Sequence, residues 1–443
     1  MGQHMKNILD VREYDTIICN LDYKDDDRYE YLDKHLFREL DEFIRSCYSA
    51  EENVDASDFL KIGYKKHIGS TISVKNYVGI IQMSDGFQIQ VLPKISFAKE
   101  IDEKNCETKR IFLRMLKSMK DFPAKHFNEA NLKMDRMNLY EVFINMYLQE
   151  VTQLVKRGIK ATYVTAEDNL NYYKGKLIVG AHLKQNIVHR ERFFVSYDEY
   201  HVNRAENKLI KSTLIKLHRL SNSTENQKLV QRLLLSFEKV DASKNFDKDF
   251  AKVVIDRNTQ EYEMLMKWSK VFLLNKSFTT FSGSTEARAL LFSMEKVFES
   301  YVAQELRKIV IKRGWQMSTQ DKGRYLFDSP RRFALKPDIV LANDSGRIVI
   351  MDTKWKSLID NKNKNYGISQ ADMYQMYAYS KKYSAPEIWL LYPVNDQLRN
   401  HEPISFMSYD VKVNVFFVDV EKISDSLEEL VMMLNDNSNN DAY

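Results

Sequence analysis

The chain has 443 residues, of which 44% are hydrophobic and 12% aromatic; this excludes a disordered polymer and is too long for one core, so two or three domains are expected. Its formal charge is only +4, from 66 Lys+Arg against 62 Asp+Glu, a balance that neither demands nor excludes a nucleic-acid partner because the footprint that matters is a local patch. Cys19, Cys47 and Cys106 lie far apart without metal-ligand spacing, there is no signal peptide, and no apolar run reaches membrane-spanning length, so a reduced cytoplasmic protein with no membrane partner is predicted. Met1-Gly-Gln-His-Met5 reads as a cloning remnant with Met5 as the native start, and the Asn-rich tail from Asn435 to Tyr443 as a frayed end.

Residues 6–52 open with the apolar stretch Tyr14 to Cys19 and an acidic run, Asp25-Asp26-Asp27, that reads as a solvated loop before a helix. Leu32, Leu36, Leu40, Phe43, Ile44 and Cys47 then recur at helical spacing. Residues 59–96 switch to strands, with Ser84-Asp85-Gly86 as a hairpin turn. Phe87, Ile89 and Val91 alternate with Gln88 and Gln90, which predicts one buried and one exposed face in a small β-rich unit of partial-barrel type. Lys65, Lys66, His67 and Lys94 have two readings, phosphate contacts or solvated charge, and the second is the simpler.

Helical periodicity follows over Lys109 to Lys120 and Leu139 to Arg157, where Met134, Met137 and Met146 read as core filling. Residues 158–200 hold short strands, clearest at Lys174 to Val179 and Arg192 to Tyr197. Gly175-Lys176 lacks the earlier glycine of a phosphate-binding loop, and no Walker A match occurs elsewhere, so the chain carries no P-loop motor. Long helices are predicted over Asn203 to Leu220, Asn226 to Phe237, Thr259 to Leu274 and Glu286 to Lys312, the last stopping at Gly314.

The stretch from Phe333 to Trp355 is the most informative. Ile339 to Leu341 and Ile348 to Met351 flank the turn residues Asn343-Asp344-Ser345-Gly346, which predicts a hairpin, and the second run is continuously apolar, as expected of a strand buried on both faces. Asp338 begins the first strand and Asp352 ends the second, with Lys354 two residues on and therefore on the same strand face. Two carboxylates and a lysine at the edge of a hydrophobic sheet suit Mg²⁺-dependent phosphodiester cleavage: the acids hold a hard cation, and the lysine orients a water or polarises a phosphate oxygen. Glu299, on the preceding helix and one turn from Glu295, is a further candidate carboxylate, with an ordinary solvent-facing glutamate as the equal alternative. The basic loop Lys356 to Asn365 is either a DNA-contacting lid or disordered. On the helix from Ser369 to Ser380, Gln375 and Tyr379 share a face and can donate hydrogen bonds to a phosphate or to the hairpin, although Tyr379 also fits a core position. Strands Glu387 to Tyr392 and Lys412 to Val418 and a helix from Leu427 to Leu434 complete the sheet.

The Asp338…Asp352-Thr353-Lys354 pattern resembles the PD-(D/E)xK nuclease superfamily. The wider set resembles the McrC family, the nuclease subunit of McrBC-type restriction systems, over most of the chain. It comprises Val91-Leu-Pro-Lys-Ile95, Tyr197 to Leu209, Met294 to Val302, Lys336-Pro-Asp-Ile339, Asp352-Thr-Lys-Trp-Lys356 and Asp372 to Tyr379. The resemblance implies an α+β multidomain protein with a β-rich docking domain (1–105), a mainly helical middle region (106–285) and a C-terminal restriction-endonuclease-like domain (286–443) with a mixed central sheet. It implies an endonuclease that cuts both DNA strands with Mg²⁺ as cofactor, with Asp338, Asp352, Lys354 and Glu299 catalytic, Asp338, Asp352 and Thr353 at the metal, and Lys336, Lys356, Gln375 and Tyr379 on double-stranded DNA. The partner implied is a McrB-type AAA+ GTPase hexamer, which the N-terminal region docks on and stimulates. A stand-alone nuclease with its own DNA recognition, and a structural subunit with an inactive metal site, stay open as alternatives.

Overall fold

The structure is a computed structural model that describes residues 8–49, 59–95, 106–120, 122, 137–274, 288–399 and 401–440. Met1 to Met5, Met134, Glu286 and the tail beyond 440 lie outside the described residues. The chain divides into two compact units: Met1–Phe122, Glu129–Arg136 and Ser277–Tyr443 form one, and Pro123–Asn128 with Met137–Lys276 form the other.

The first unit opens with β1 (Ile8–Arg12), β2 (Thr16–Ile18), β3 (Glu30–Tyr31), α1 (Lys34–Ser49), β4 (Leu60–Lys65), β5 (Gly69–Val74), β6 (Tyr77–Gln82) and β7 (Gln88–Leu92), followed by α2 (Cys106–Leu116). Strands β3-β2-β5-β4 make one four-stranded sheet, in place of a single partial barrel. The apolar face of α1, Phe37, Leu40, Phe43 and Ile44, shares a core with Ile17, Phe59, Ile72 and Ile89. In the second sheet β7 is central, parallel to β1 and antiparallel to β6. The expected exposed face of β7 is therefore buried: Gln88 and Gln90 are both covered, and the Gln90 amide donates to Asp10 Oδ1 at 2.7 Å. A glutamine tolerates this burial because a partner strand answers its polar end.

The second unit contains α3 (Leu139–Arg157), β8 (Thr162–Leu170), β9 (Lys176–Leu177), α4 (Val179–Gln185), β10 (Phe193–His201), α5 (Ala205–Leu220), α6 (Thr224–Ser236), α7 (Phe246–Ala251) and α8 (Tyr262–Leu274). Among its described residues it is helical apart from loops and the three-stranded sheet β8-β10-β9. Of the strand expected over Lys174 to Val179 only Lys176–Leu177 pairs, because α4 begins at Val179. Glu141 on α3 is buried and accepts hydrogen bonds from the Ser221 hydroxyl (2.7 Å), the Asn222 amide (2.6 Å) and the Asn226 side chain (2.7 Å), locking the α5–α6 joint.

The first unit resumes with β11 (Arg288–Ser293), α9 (Met294–Val310), β12 (Trp315–Thr319), β13 (Tyr325–Asp328), β14 (Arg331–Ala334), β15 (Ile339–Asn343), β16 (Ile348–Thr353), α10 (Gln370–Tyr383), β17 (Glu387–Pro393), β18 (Ile404–Ser408), β19 (Val411–Val418) and α11 (Ile423–Asn440). Where the expected helix enters the described residues, Arg288–Ser293 is a strand. Ala289-Leu-Leu-Phe292 is apolar on every position and suits β11, which completes the sheet β1-β7-β6-β11 by pairing with β6. The chain turns helical at Met294, with Met294, Val297, Phe298, Tyr301, Val302, Leu306 and Val310 buried along one stripe. Gly314, at φ 79°, ends the helical turn that extends α9. The tail expected to fray from Asn435 continues α11 to Asn440.

Six strands in the order β12-β15-β16-β17-β19-β18 form the mixed central sheet: β15 and β16 are antiparallel, while β16, β17 and β19 run parallel. Every residue of β16 after Ile348 is buried, as its continuous apolar run requires. Ile350 packs into a core with Met376 and Tyr379 of α10, and alternation sends Asp352 and Lys354 to that same side.

Candidate active site

The hairpin of β15 and β16 closes through Asn343 to Arg347, where Gly346 adopts φ 82° and Asn343 Oδ1 accepts from the Ser345 hydroxyl and the Arg347 amide. Its register pairs Ile339 with Met351, which sets Asp338 and Asp352 together at the open end. Asp338 Oδ2 accepts from the Thr353 amide (2.8 Å) and hydroxyl (2.7 Å). Asp352 is only 1% exposed, and its Oδ2 lies 2.8 Å from Lys354 Nζ. The same ammonium donates to Gln375 Oε1 at 3.3 Å and lies 4.0 Å from Asp372 Oδ1. Gln375 in turn donates to the hydroxyl of buried Tyr379 at 2.6 Å, so α10 holds the lysine through a fixed relay. Glu299 on α9 accepts from Gln320 Nε2 at 2.6 Å, and the same amide reaches Asp338 Oδ1 at 3.3 Å.

This crowding of acids shows in their proton affinities. Burial raises the Asp338 carboxyl against the two bonds from Thr353, and burial plus the Asp338 charge raises Asp352. Burial and then Asp338 push Glu299 up to about 7. Burial works against the Lys354 ammonium, yet Asp352, Asp372 and Asp338 hold its pKa above the ordinary lysine value. The Tyr379 hydroxyl is pushed up to about 12 by burial and the Asp352 charge, so it stays protonated. Perturbed groups of this kind cluster at functional sites, and structural ion-pair networks produce them as well.

Of the sequence candidates, Asp338, Asp352, Thr353, Lys354, Glu299, Gln375 and Tyr379 converge here. Tyr379 takes the expected core position, but toward the hairpin the pair accepts where donation was expected: Gln375 accepts from Lys354, and Tyr379 accepts from Gln375. Glu295 does not join them, and accepts from Asn76 instead. Lys336 is exposed, and Lys356 is exposed with its ammonium donating to the Gly367 carbonyl at 2.6 Å. The loop after it is ordered, with Tyr366 buried and bonded to Ile359 and Asn361 through its backbone. Among the described residues no three His, Cys, Asp or Glu side chains form a ready-made metal cage. A pair of carboxylates still suits Mg²⁺, which keeps several waters and takes substrate phosphate oxygens as further ligands. Asp338 and Asp352 fit that requirement, since one half-buried and one buried acid lie beside a single lysine and gain from a second positive charge.

The family profile described as McrBC 5-methylcytosine restriction system component matches residues 72–393, well over half of the chain. The chain belongs to the McrBC family. Among solved structures, a chain of a half-complex from a tetradecameric assembly of Thermococcus gammatolerans McrB AAA+ hexamers with bound McrC is similar over 96% of this chain and 100% of its own, at 20% identity and a TM-score of 0.68. A chain of the Thermococcus gammatolerans McrBC complex matches 72% of this chain and 90% of its own, at 21% identity and a TM-score of 0.47. No curated protein matches. At 20% identity, the first likeness establishes a shared fold. No helix among the described residues is long and apolar enough to cross a membrane.

Two residues of this candidate site escaped sequence reasoning. Asp372 stands three residues before Gln375 on one helix face, a spacing that was visible. Gln320 follows β12 with φ 52° and carried no motif, so only the tertiary structure brings it to the acids.

Proposed function

We propose that the chain is the DNA-cleaving subunit of a McrBC-type, GTP-dependent restriction system, hydrolysing phosphodiester bonds with Mg²⁺. The observation that carries this reading is the joining of Asp338, Asp352 and Lys354 on one hairpin, with Glu299 and Gln375 brought in by helices on either side. Such a constellation resembles that of a PD-(D/E)xK nuclease, and a purely structural role gives no reason for a lysine beside two acids.

Asp338 and Asp352 would hold Mg²⁺, which when bound supplies Lewis-acid stabilisation of phosphate charge and lowers the pKa of a water. Thr353 spends its hydroxyl and amide on Asp338, and so orients that carboxylate. Lys354, fixed by Asp352 and Gln375, is placed to orient the attacking water and to offset charge developing on the phosphate. Glu299, with a pKa raised to about 7, can accept a proton near neutral pH. Lys336 and Lys356 would meet DNA phosphates on either side of the hairpin.

The partner in this reading is an AAA+ GTPase hexamer of the McrB type, docked and stimulated through the N-terminal region. Family membership and the fold shared with the Thermococcus gammatolerans assembly support it. The test is Mg²⁺-dependent cleavage of methylated and unmethylated plasmid by the chain alone, then with the neighbouring GTPase and GTP, with Asp352→Ala alongside. Cleavage confined to the complete mixture and abolished by Asp352→Ala is expected. Equal cleavage by Asp352→Ala overturns the active site, and cleavage without partner or GTP overturns the two-component reading.

A further inference from the structure

Strands β13 and β14 form a two-stranded ribbon that stands apart from the six-stranded sheet. Both of its feet reach the acids. Gln320, just before it, bonds Glu299 and Asp338, and three residues separate Ala334 from Asp338. Its flank is fastened to the last turn of α10: the Arg324 guanidinium lies 4.7 Å from the Tyr383 ring centre and donates to the Lys382 carbonyl, while Asp328 pairs with Lys382 at 2.7 Å. Beyond those ties the ribbon faces solvent. All four residues of β14 are exposed, with Phe333 at 72% and Phe327 at 55%.

Two touching aromatic rings on a projecting ribbon, centroids 5.9 Å apart, are not scattered surface apolars. Phe327 sits opposite Arg332 and Asp328 opposite Arg331. Phe333 adopts φ 58°, a left-handed conformation that is unusual for an aromatic residue and that interrupts the strand where its ring meets Phe327. Residues 322–336 hold Lys322, Arg324, Arg331, Arg332 and Lys336 against a single acid, Asp328. That stretch alone carries a net charge of +4, equal to the whole chain. A basic two-stranded ribbon matches the dimensions of a DNA groove, and an exposed aromatic can press on sugars and base edges there.

We propose that the β13–β14 ribbon grips duplex DNA beside the scissile phosphate, with Arg331 and Arg332 on the phosphate backbone and Phe333 against the groove wall. This rests on the nuclease reading, and assigns to the ribbon the task of delivering DNA to Asp338 and Asp352. The experiment is fluorescence anisotropy of a labelled duplex with the intact chain in EDTA, across a salt series. Arg331→Ala with Arg332→Ala should weaken binding and reduce the slope of log affinity against log salt by about 1.8, about 0.9 for each lost phosphate contact. Phe333→Ala should weaken binding several-fold with the slope unchanged, and Arg331→Lys with Arg332→Lys should restore the slope. Circular dichroism should show all variants folded, as exposed positions allow. Wild-type affinity and slope in the double alanine variant, or no duplex binding by the parent at low salt, overturns the proposal. Plasmid cleavage by the parent and by Asp352→Ala, with partner and GTP, reports separately: equal cleavage sinks the nuclease reading, whatever the ribbon binds.

Discussion

Lys354 holds the site's opposing charges in place. Its ammonium contacts Asp352 and Gln375 and lies near Asp372, so three residues from two elements depend on one side chain. Removing it leaves buried acids without their cation, yet spares the oxygens that would bind metal. Lys354→Ala should therefore lower cleavage by about 10²–10³-fold, the loss typical of one transition-state donor. The same variant should still melt at a higher temperature when Mg²⁺ is added, because a ligand of the folded state stabilises it by mass action. Asp352→Ala should lose both cleavage and the Mg²⁺ shift. An unchanged shift in Asp352→Ala, measured by differential scanning fluorimetry, would remove Asp352 from the metal site.

At the scale of elements, two contacts tie the N-terminal strands to the C-terminal segment of the chain within the first unit. In one, β11 pairs with β6 so closely that a Cβ on Gly79 would stand 1.9 Å from the Leu290 carbonyl oxygen. Gly79 also has φ 146°, where a side chain is strained, so Gly79→Ala should cost about 2–3 kcal/mol in a denaturant titration. In the other, Glu13 after β1 is fully buried and accepts from Trp355 Nε1 at 3.0 Å and from the Lys94 amide at 3.0 Å. Trp355 follows Lys354 and also lies 5.3 Å, ring to ring, from Phe298 of α9. Burial raises the Glu13 carboxyl from 4.5 to about 7 despite those two donors and the Lys94 charge. The folded state thus holds a proton that the unfolded state releases above 4.5. Its stabilising contribution is complete below that pH and fades as pH rises to about 7, by up to about 3 kcal/mol. Glu13→Gln, which cannot ionise, should flatten this part of the stability curve between pH 4.5 and 7; an unchanged difference across that window would mean the carboxyl titrates normally.

At the scale of the whole molecule, the chain divides into two compact units, and a buried carboxylate joins three helices of the second. Glu141 accepts from three donors of the α5–α6 joint, so Glu141→Ala removes the acceptor they share. A loss of about 3 kcal/mol confined to the second unit is expected. Hydrogen exchange should show faster opening over residues 137–274 and unchanged protection in β15 and β16. Uniform loss of protection in both units would show that they unfold as one.

The sequence by itself determined the β15–β16 hairpin, its burial, and the meeting of Asp338, Asp352 and Lys354, because strand alternation and a short turn are local rules. Helical spacing likewise located α1, α3 and the pair Gln375 and Tyr379. Tertiary structure decided the rest. Ala289 to Phe292 suits helix or strand equally, and only the open edge of β6 makes it β11. Gln90 alternates like a surface residue, and only the arrival of Asp10 allows its burial. Gln320 and Glu13 reach their partners through contacts between distant segments, which no local periodicity encodes.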